Sequence, residues 1–369
     1  MGKVGETTLI LDLSALEHNY NYLRSQIKPK TKFLGVVKAF AYGSDMVTIA
    51  QKLEQLGADY LAVAYVNEGV LLRNAGVKTP ILVLHPLVSN FEEMIDRCLE
   101  PSLYSKHILY QFLETAKAKN QTNYPVHIKF NTGLNRLGFA EDDVDFIAEE
   151  TKRNGCIKIV STFSHLAASE DSNERDFSLK QINSFKKSSN ALTDILGYRP
   201  MRHMLNTSGI INYPEAQFEM VRSGIGLYGY GNEAKVDARL KPVATLKTII
   251  SQIHQIEAHE SVGYNRAFKS HQPIKSATLP IGHADGIGRQ YGKGRGSVII
   301  NGKKAPILGN VCMDMIMVDV TGIDCKEGDE AIVFGPEKSA EKFAATANTI
   351  SYEILTAISQ RVKRVVVQQ

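Results

Sequence analysis

The stretch 32–43, KFLGVVKAFAYG, places Lys38 directly behind a short apolar run of Phe33, Leu34, Val36 and Val37. Such a run reads as a buried strand. An amine at the carboxyl end of a buried parallel strand faces a site built by other strands. Partial desolvation leaves more of it unprotonated and able to condense with a carbonyl. A lysine here can equally lay its stem on a barrel rim and send its head to solvent, so the other strand ends decide. KFNTGLNRLG brings Lys129 and Arg136, FSHLA presents His165, LNTSG offers Asn206, Thr207 and Ser208, and VRSGIGLYG offers Arg222, Gly224 and Ile225.

Two of these loops suit a phosphate. Thr207 and Ser208 carry hydroxyls, Gly224 and Ile225 offer backbone N–H groups, and Gly224 lets the backbone approach a ligand closely. With a lysine on the first strand, the expected ligand is a phosphate-bearing aldehyde, pyridoxal 5′-phosphate, bound covalently to Lys38. Arg222 is then a candidate partner of the pyridine nitrogen, the alternative being a structural ion pair. An arginine keeps its proton near neutral pH, so it donates a hydrogen bond and leaves that nitrogen neutral. This disfavours transamination and favours return of a proton to the same carbon. His165 would pack against the ring or be satisfied within the barrel mouth. Arg136 would take a substrate carboxylate or the ring's phenolic oxygen, oriented by a neutral or carbamylated Lys129. Exchanging a proton between two faces of a carbon needs a second base opposite Lys38. The candidates are Tyr264 in ESVGYNRAF and the loop GNVCMDM with Cys312, Met313 and Asp314. Tyr352 in ISYEI is a further candidate for the phosphate.

The elements that must position these residues are legible as alternation. Thr8–Leu13 reads as a strand, with Ser14 capping a helix after it. From Lys32, strands are expected at Tyr60–Ala64, Ile81–Leu84, Pro101–Leu103, Val126–Phe130, Ile157–Phe163, Met201–Leu205 and Phe218–Val221. Amphipathic segments separate them at Val47–Leu56, Val66–Asn74, Lys106–Lys119, Val144–Lys152 and Phe177–Leu196. About eight such units in about 200 residues make a (β/α)₈ barrel, with an open doubly wound sheet as the alternative. Near Lys235 the pattern changes to strands separated by Gly-rich turns: Val243–Ile256, Lys275–Leu279, Ser297–Ile300, Ala305–Leu308, Met315–Val320 and Glu330–Phe334. Two late helices are expected at Ser339–Thr346 and Tyr352–Ser359. The division is therefore a barrel over 1–236 and a mostly-β domain over 237–369, linked near Gly231–Asp237. The first strand, 7–11, precedes the barrel and is free to pair with the second domain.

The chain has 369 residues, enough for two cores, with 43% hydrophobic and 22% charged residues, as in soluble globular proteins. Its net charge of +4 is spread along the chain rather than run together, which gives no case for a nucleic-acid partner. Four cysteines form no CxxC pair and ten histidines no HExxH, so neither a disulfide framework nor a metal is signalled. No apolar run approaches the roughly 20 residues that span a bilayer. The start of the chain lacks the pattern of a signal peptide. A cytoplasmic protein is expected.

In their order and spacing, VVKAFAYG, IKFNTGLNRLGF, FSHLA, NTSG, RSGIGLYG, VGYNRAF, GHADG, GNVCMDM and ISYEI resemble the alanine racemase family over nearly the whole chain. The resemblance implies a fold type III pyridoxal-phosphate enzyme acting on alanine and supplying D-alanine for peptidoglycan. It also implies a head-to-tail homodimer. Lys38 would be the base on the D side and Tyr264 the base on the L side. Tyr264 and Met313 would come from the partner subunit, with Arg136 and Met313 at the substrate carboxylate. Tyr42, Thr207, Gly224, Ile225 and Tyr352 would hold the phosphate, and Asp171 and Ile350 would line the entrance. The sequence departs from the family pattern at Phe40, Asn131, Thr207, His283 and Asn310. Racemases of broader specificity or of serine or lysine, a decarboxylase of the same fold, and a cofactor-binding barrel without catalysis remain the rival readings.

Overall fold

The computed structural model describes residues 6–368. Eight parallel strands close into a barrel: Lys32–Val36, Tyr60–Val63, Ile81–Val83, Glu100–Leu103, Tyr124–Lys129, Ile157–Phe163, Met201–His203 and Met220–Ser223. They close because the last pairs with the first, Lys32 opposite Met220 and Gly35 opposite Ser223. Helices on the outside include Met46–Gln55, Val66–Asn74, Lys106–Ala118, Val144–Asn154 and Arg175–Leu196. This is the barrel the alternation predicts, and not an open doubly wound sheet.

The second layer is a nine-stranded sheet among the described residues. In spatial order it runs Gln252–Ile256, Ile274–Leu279, Ile316–Asp319, Lys303–Leu308, Ser297–Ile300, Glu330–Phe334, Ala244–Ile249, Thr8–Asp12 and Lys363–Val367. Thr8–Asp12 lies antiparallel to Ala244–Ile249 and parallel to Lys363–Val367, so both ends of the described chain join this sheet. The segment 231–237 contains a helical turn, Ala234–Asp237.

Three local expectations are corrected. The cap of the first helix, Leu13–Ser25, is Asp12 rather than Ser14: its carboxylate accepts from Ser14 N at 2.8 Å and Ala15 N at 3.2 Å. Asp12 is still extended, as an N-cap must be, whereas Ser14 already lies in the first turn. Val243–Ile256 is two strands. Ile250 N–H is taken by Asp329 and Ser251 N–H by Thr278, which sends the chain to another part of the sheet. Phe218 lies outside the last barrel strand, at φ 49°.

The segment after Lys38 is a left-handed turn. Ala39, Phe40, Ala41 and Tyr42 all have φ between 53° and 55°. That region costs an L-residue about 1–2 kcal/mol, so neighbours must hold it. Glu68 accepts from Ala39 N, the carbonyl of Gly43 accepts from Arg364, and Gly43 packs so closely on Leu355 that a Cβ there would lie 1.9 Å from its carbonyl oxygen. The helix Ser351–Ala357 of the second domain thus backs the turn that presents Lys38.

Candidate active site

The carboxyl ends of the barrel strands enclose a cavity of about 670 Å³. Lys38, Tyr42, Lys129, Arg136, His165, Asn206, Thr207, Arg222, Gly224, Ile225 and Tyr352 all reach its wall. A vestibule of about 750 Å³ adjoins it, sharing Arg136, His165, Asn206 and Tyr352 and adding Ile350. Asp171 lies outside both; its carboxylate accepts from Asn173 N. Tyr264 and Met313 are elsewhere on the same chain, highly exposed at 72% and 59%. Tyr264 lines a separate depression with His254, Cys312 and Met317. The fold therefore gathers the barrel residues but does not bring these two to the cavity within one chain.

Four cations face this cavity. Lys38 is lowered from the ordinary lysine value, first by burial and then by Arg136, with Glu68 pulling the other way. Lys129, 7% exposed, falls to about 8 through burial and then through Arg136, Arg222 and Lys38. Its ammonium sits 5.8 Å from the Phe163 ring centroid and has no hydrogen-bonded partner among the described residues. Arg136 likewise makes no ion pair among the described residues. A cavity of this charge selects an anionic occupant.

Arg222 is buried at 5% exposure and has no carboxylate beside it among the described residues. Burial, and then Arg136, lower it to about 9, so it remains a cation at neutral pH. Nη1 donates to His203 Nδ1 at 2.6 Å. Nη2 donates to the carbonyls of Ser164 at 2.7 Å and Met204 at 3.1 Å, and to His165 Nδ1 at 3.1 Å. Its Nε–H has no acceptor among the described residues. His165 is held well below the usual histidine range by burial and by the four cations, Arg222 foremost. It is a neutral imidazole whose Nδ1 accepts from Arg222.

The other wall is a cradle. A Cβ on Gly224 would lie 2.2 Å from the Tyr42 hydroxyl, so only glycine lets that phenol lie over the backbone. Tyr42 stacks on Tyr228 at 4.5 Å and meets Tyr352 at 5.9 Å. Asn206 caps the helix Thr207–Asn212, its side chain accepting from Gly209 N at 2.9 Å and Ser169 Oγ at 2.8 Å. It therefore positions Thr207 and Ser208. The Thr207 hydroxyl lies 3.0 Å from Ser223 Oγ and accepts from Gly226 N at 3.2 Å. The N–H of Ile225, at the first position of its short helical turn, has no acceptor among the described residues. This free N–H, with the hydroxyls of Thr207, Tyr42 and Tyr352 along the same wall, fits a phosphate.

The sequence reading missed Tyr65 and His85, which also line the cavity. Each lies two residues past a barrel strand, Tyr60–Val63 and Ile81–Val83, as His165 does past Ile157–Phe163, so the strand-end rule that finds His165 would have found them. It also missed Glu100, His127, Ser161 and His203, buried polar residues within the barrel strands themselves.

Two family profiles match nearly the whole chain. The profile described as "Alanine racemase, N-terminal domain" matches residues 11–232, and "Alanine racemase, C-terminal domain" matches 243–366. The chain is 36% identical to "Alanine racemase 1" of Clostridium acetobutylicum, over 97% of this chain and 94% of that protein. It superposes on the solved alanine racemase of Clostridium difficile 630 with a TM-score of 0.93 at 34% identity, over 100% of this chain and 97% of that one. A second neighbour is the alanine racemase of Bartonella henselae "with covalently bound pyridoxal phosphate", with a TM-score of 0.90 at 31% identity, covering 99% and 100%.

Proposed function

The chain belongs to the alanine racemase family, and from that premise we propose that it interconverts L- and D-alanine by moving a proton between the two faces of Cα. It is an isomerase that uses pyridoxal 5′-phosphate. When bound, that cofactor supplies an aldehyde that bonds amines and a ring that acidifies the substrate's Cα–H.

Lys38 would hold the cofactor covalently through its amine. The hydroxyls of Tyr42, Thr207 and Tyr352 and the backbone N–H groups of Gly224 and Ile225 would take its phosphate, with Asn206 fixing that loop and His165 placed to pack on the ring. Arg222, whose Nε–H is free, would serve the ring nitrogen as a donor that keeps its proton, because its value of about 9 still lies above neutral pH. Arg136, with Met313 of a second copy, takes the substrate carboxylate. Lys38 moves the proton on the D side. On the L side the base is Tyr264 of a second copy, since in its own chain that residue faces solvent. The working unit is therefore a homodimer with shared sites. Lys129, half neutral near pH 8, is able to take up carbon dioxide as a carbamate and so give Arg136 an anionic partner.

The observation that carries this reading is Arg222, a buried cation with a spare donor in the same cavity as Lys38. An acidic residue there would protonate the ring nitrogen and open other reactions; a guanidinium does not. We place the enzyme in the cytoplasm, where four free cysteines are at home, and assign its D-alanine to peptidoglycan. No described helix is long and apolar enough to cross a membrane.

The test is deuterium incorporation at Cα of L- and D-alanine in heavy water, with L-serine and L-lysine beside them. Exchange with inversion for alanine supports the assignment. Exchange confined to serine or lysine overturns it.

A further inference from the structure

A line of hydrogen bonds leaves Arg222 on the side away from the cavity and crosses the barrel interior. His203 Nδ1 is 2.6 Å from Arg222 Nη1. His203 Nε2 is 2.9 Å from Ser161 Oγ, which is 2.5 Å from His127 Nδ1. His127 Nε2 is 2.7 Å from Glu100 Oε2. The five residues sit on strands eight, seven, six, five and four of the barrel, and none is more than 9% exposed. Phe163 stacks on His203 at 4.8 Å and 5°, and Tyr60 meets His127 edge-on at 5.8 Å, which fixes both ring planes.

The two ends set the proton order. A guanidinium only donates and an ionised carboxylate only accepts. Arg222 must therefore donate to Nδ1 of His203, so that ring carries its proton on Nε2 and donates to Ser161. Ser161 in turn donates to Nδ1 of His127, whose Nε2–H donates to Glu100. Every atom is satisfied by one order only, and the reverse order would set an N–H of His203 against an N–H of Arg222. Burial and the nearby Arg222 hold His203 well below the usual histidine range, in keeping with a neutral ring. Glu100 also accepts from Tyr60 and faces the Arg73 guanidinium. Arg73's own hydrogen bonds go to the carbonyls of Val77, Thr79, Arg97 and Cys98.

We infer that Glu100 is a positioning residue for Arg222. Through His127, Ser161 and His203 it fixes the guanidinium as a pure donor and serves as its distant counter-charge. The cost of burying Arg222 without an adjacent carboxylate is met in this way, and the cavity side stays free of any anion that would compete for the Nε–H. The inference rests on the racemase reading for what Arg222 does. The proton order of the relay does not.

The experiment has two arms. In the first, ¹⁵N spectra of histidine-labelled apoprotein report ring protonation without cofactor or substrate. His127 and His203 are both expected as neutral Nε2–H tautomers, and His203 with a proton on Nδ1 overturns the relay whether or not the enzyme racemises alanine. The second arm compares Glu100→Gln, Ser161→Ala and the double variant, with circular dichroism confirming the fold. Gln offers either a carbonyl or an N–H to His127, so the His203 signal becomes mixed. A kcat loss of about tenfold with KM little changed is expected in each single variant. The double variant should be no worse than Ser161→Ala alone, because both cut one chain. Multiplying losses, or an unaltered His203 spectrum in Glu100→Gln, overturn the proposal. Absence of racemisation in the unaltered protein would instead overturn the function and leave the first arm standing.

Discussion

The carboxylate of Glu68 accepts a 2.6 Å hydrogen bond from the backbone N–H of Ala39, one residue past Lys38. The same carboxylate takes Ala64 N at 2.7 Å and Tyr65 N at 3.2 Å. It thereby ties the left-handed turn after the first barrel strand to the start of the helix Val66–Asn74. It also raises the Lys38 amine against the pull of burial and Arg136. Glu68→Ala removes one acceptor from three donors and should destabilise the protein by about 1–3 kcal/mol, measured by urea unfolding at pH 7. The Lys38 amine should also titrate lower, seen as faster labelling of the apoprotein at neutral pH. Unchanged labelling would separate Glu68 from Lys38 altogether.

Lys129 gives a pH dependence whose sign is fixed. Its value in the fold, about 8, lies below the ordinary 10.5. Between those values the unfolded chain binds more protons, so stability rises with pH across that window. Below about pH 8 both states are protonated and the cost of burying the charge is fully present. The difference corresponds to about 3 kcal/mol at most. In carbon dioxide-free buffer, Lys129→Met apoprotein should melt higher than the unaltered protein at pH 7, and the gap should close by pH 10. A gap constant with pH would mean that packing, not charge, is the cause.

Gly224 tests the cradle. A Cβ there would meet Tyr42 Oη at 2.2 Å and Cζ at 3.0 Å. Gly224→Ala should push the phenol aside and weaken cofactor binding by about 1–3 kcal/mol, the usual cost of overpacking. Tyr42→Phe removes the nearer clash along with its own phosphate contact, so Gly224→Ala should cost less in the Tyr42→Phe background than in the unaltered protein. Titration of the apoprotein with pyridoxal 5′-phosphate, followed by visible absorbance, reads both. An equal cost of Gly224→Ala in both backgrounds would place the strain elsewhere.

Much of this site was legible because barrel chemistry sits at strand ends, and buried parallel strands announce themselves as β-branched runs. Ile157–Phe163 and Val66–Asn74 fall where alternation and helical spacing put them. Lys363–Val367 was not legible, because its partner Thr8–Asp12 is at the other end of the chain and nothing local specifies the pairing. Glu100 and Ser161 were hidden for a different reason. A polar residue inside a strand normally marks the solvent face, and only the closed barrel turns these inward onto His127. The left-handed turn at Ala39–Tyr42 carries no glycine until Gly43, so it has no signature of its own.

The exposed Tyr264 leads to the sharpest test of how the site is assembled. If each site combines Lys38 of one copy with Tyr264 of another, Lys38→Ala and Tyr264→Phe proteins are each inactive for complementary reasons. Unfolding the two together and refolding them at equal concentration gives hybrids as half of all dimers. One of the two sites in each hybrid then carries both residues intact, so about a quarter of the full activity should return. If Lys38 and Tyr264 of the same chain served one site, every hybrid site would lack one base and nothing would return. The mixture therefore separates a shared site from a private one by a rate measurement alone. The homogeneous variants, refolded in the same way, serve as the zero.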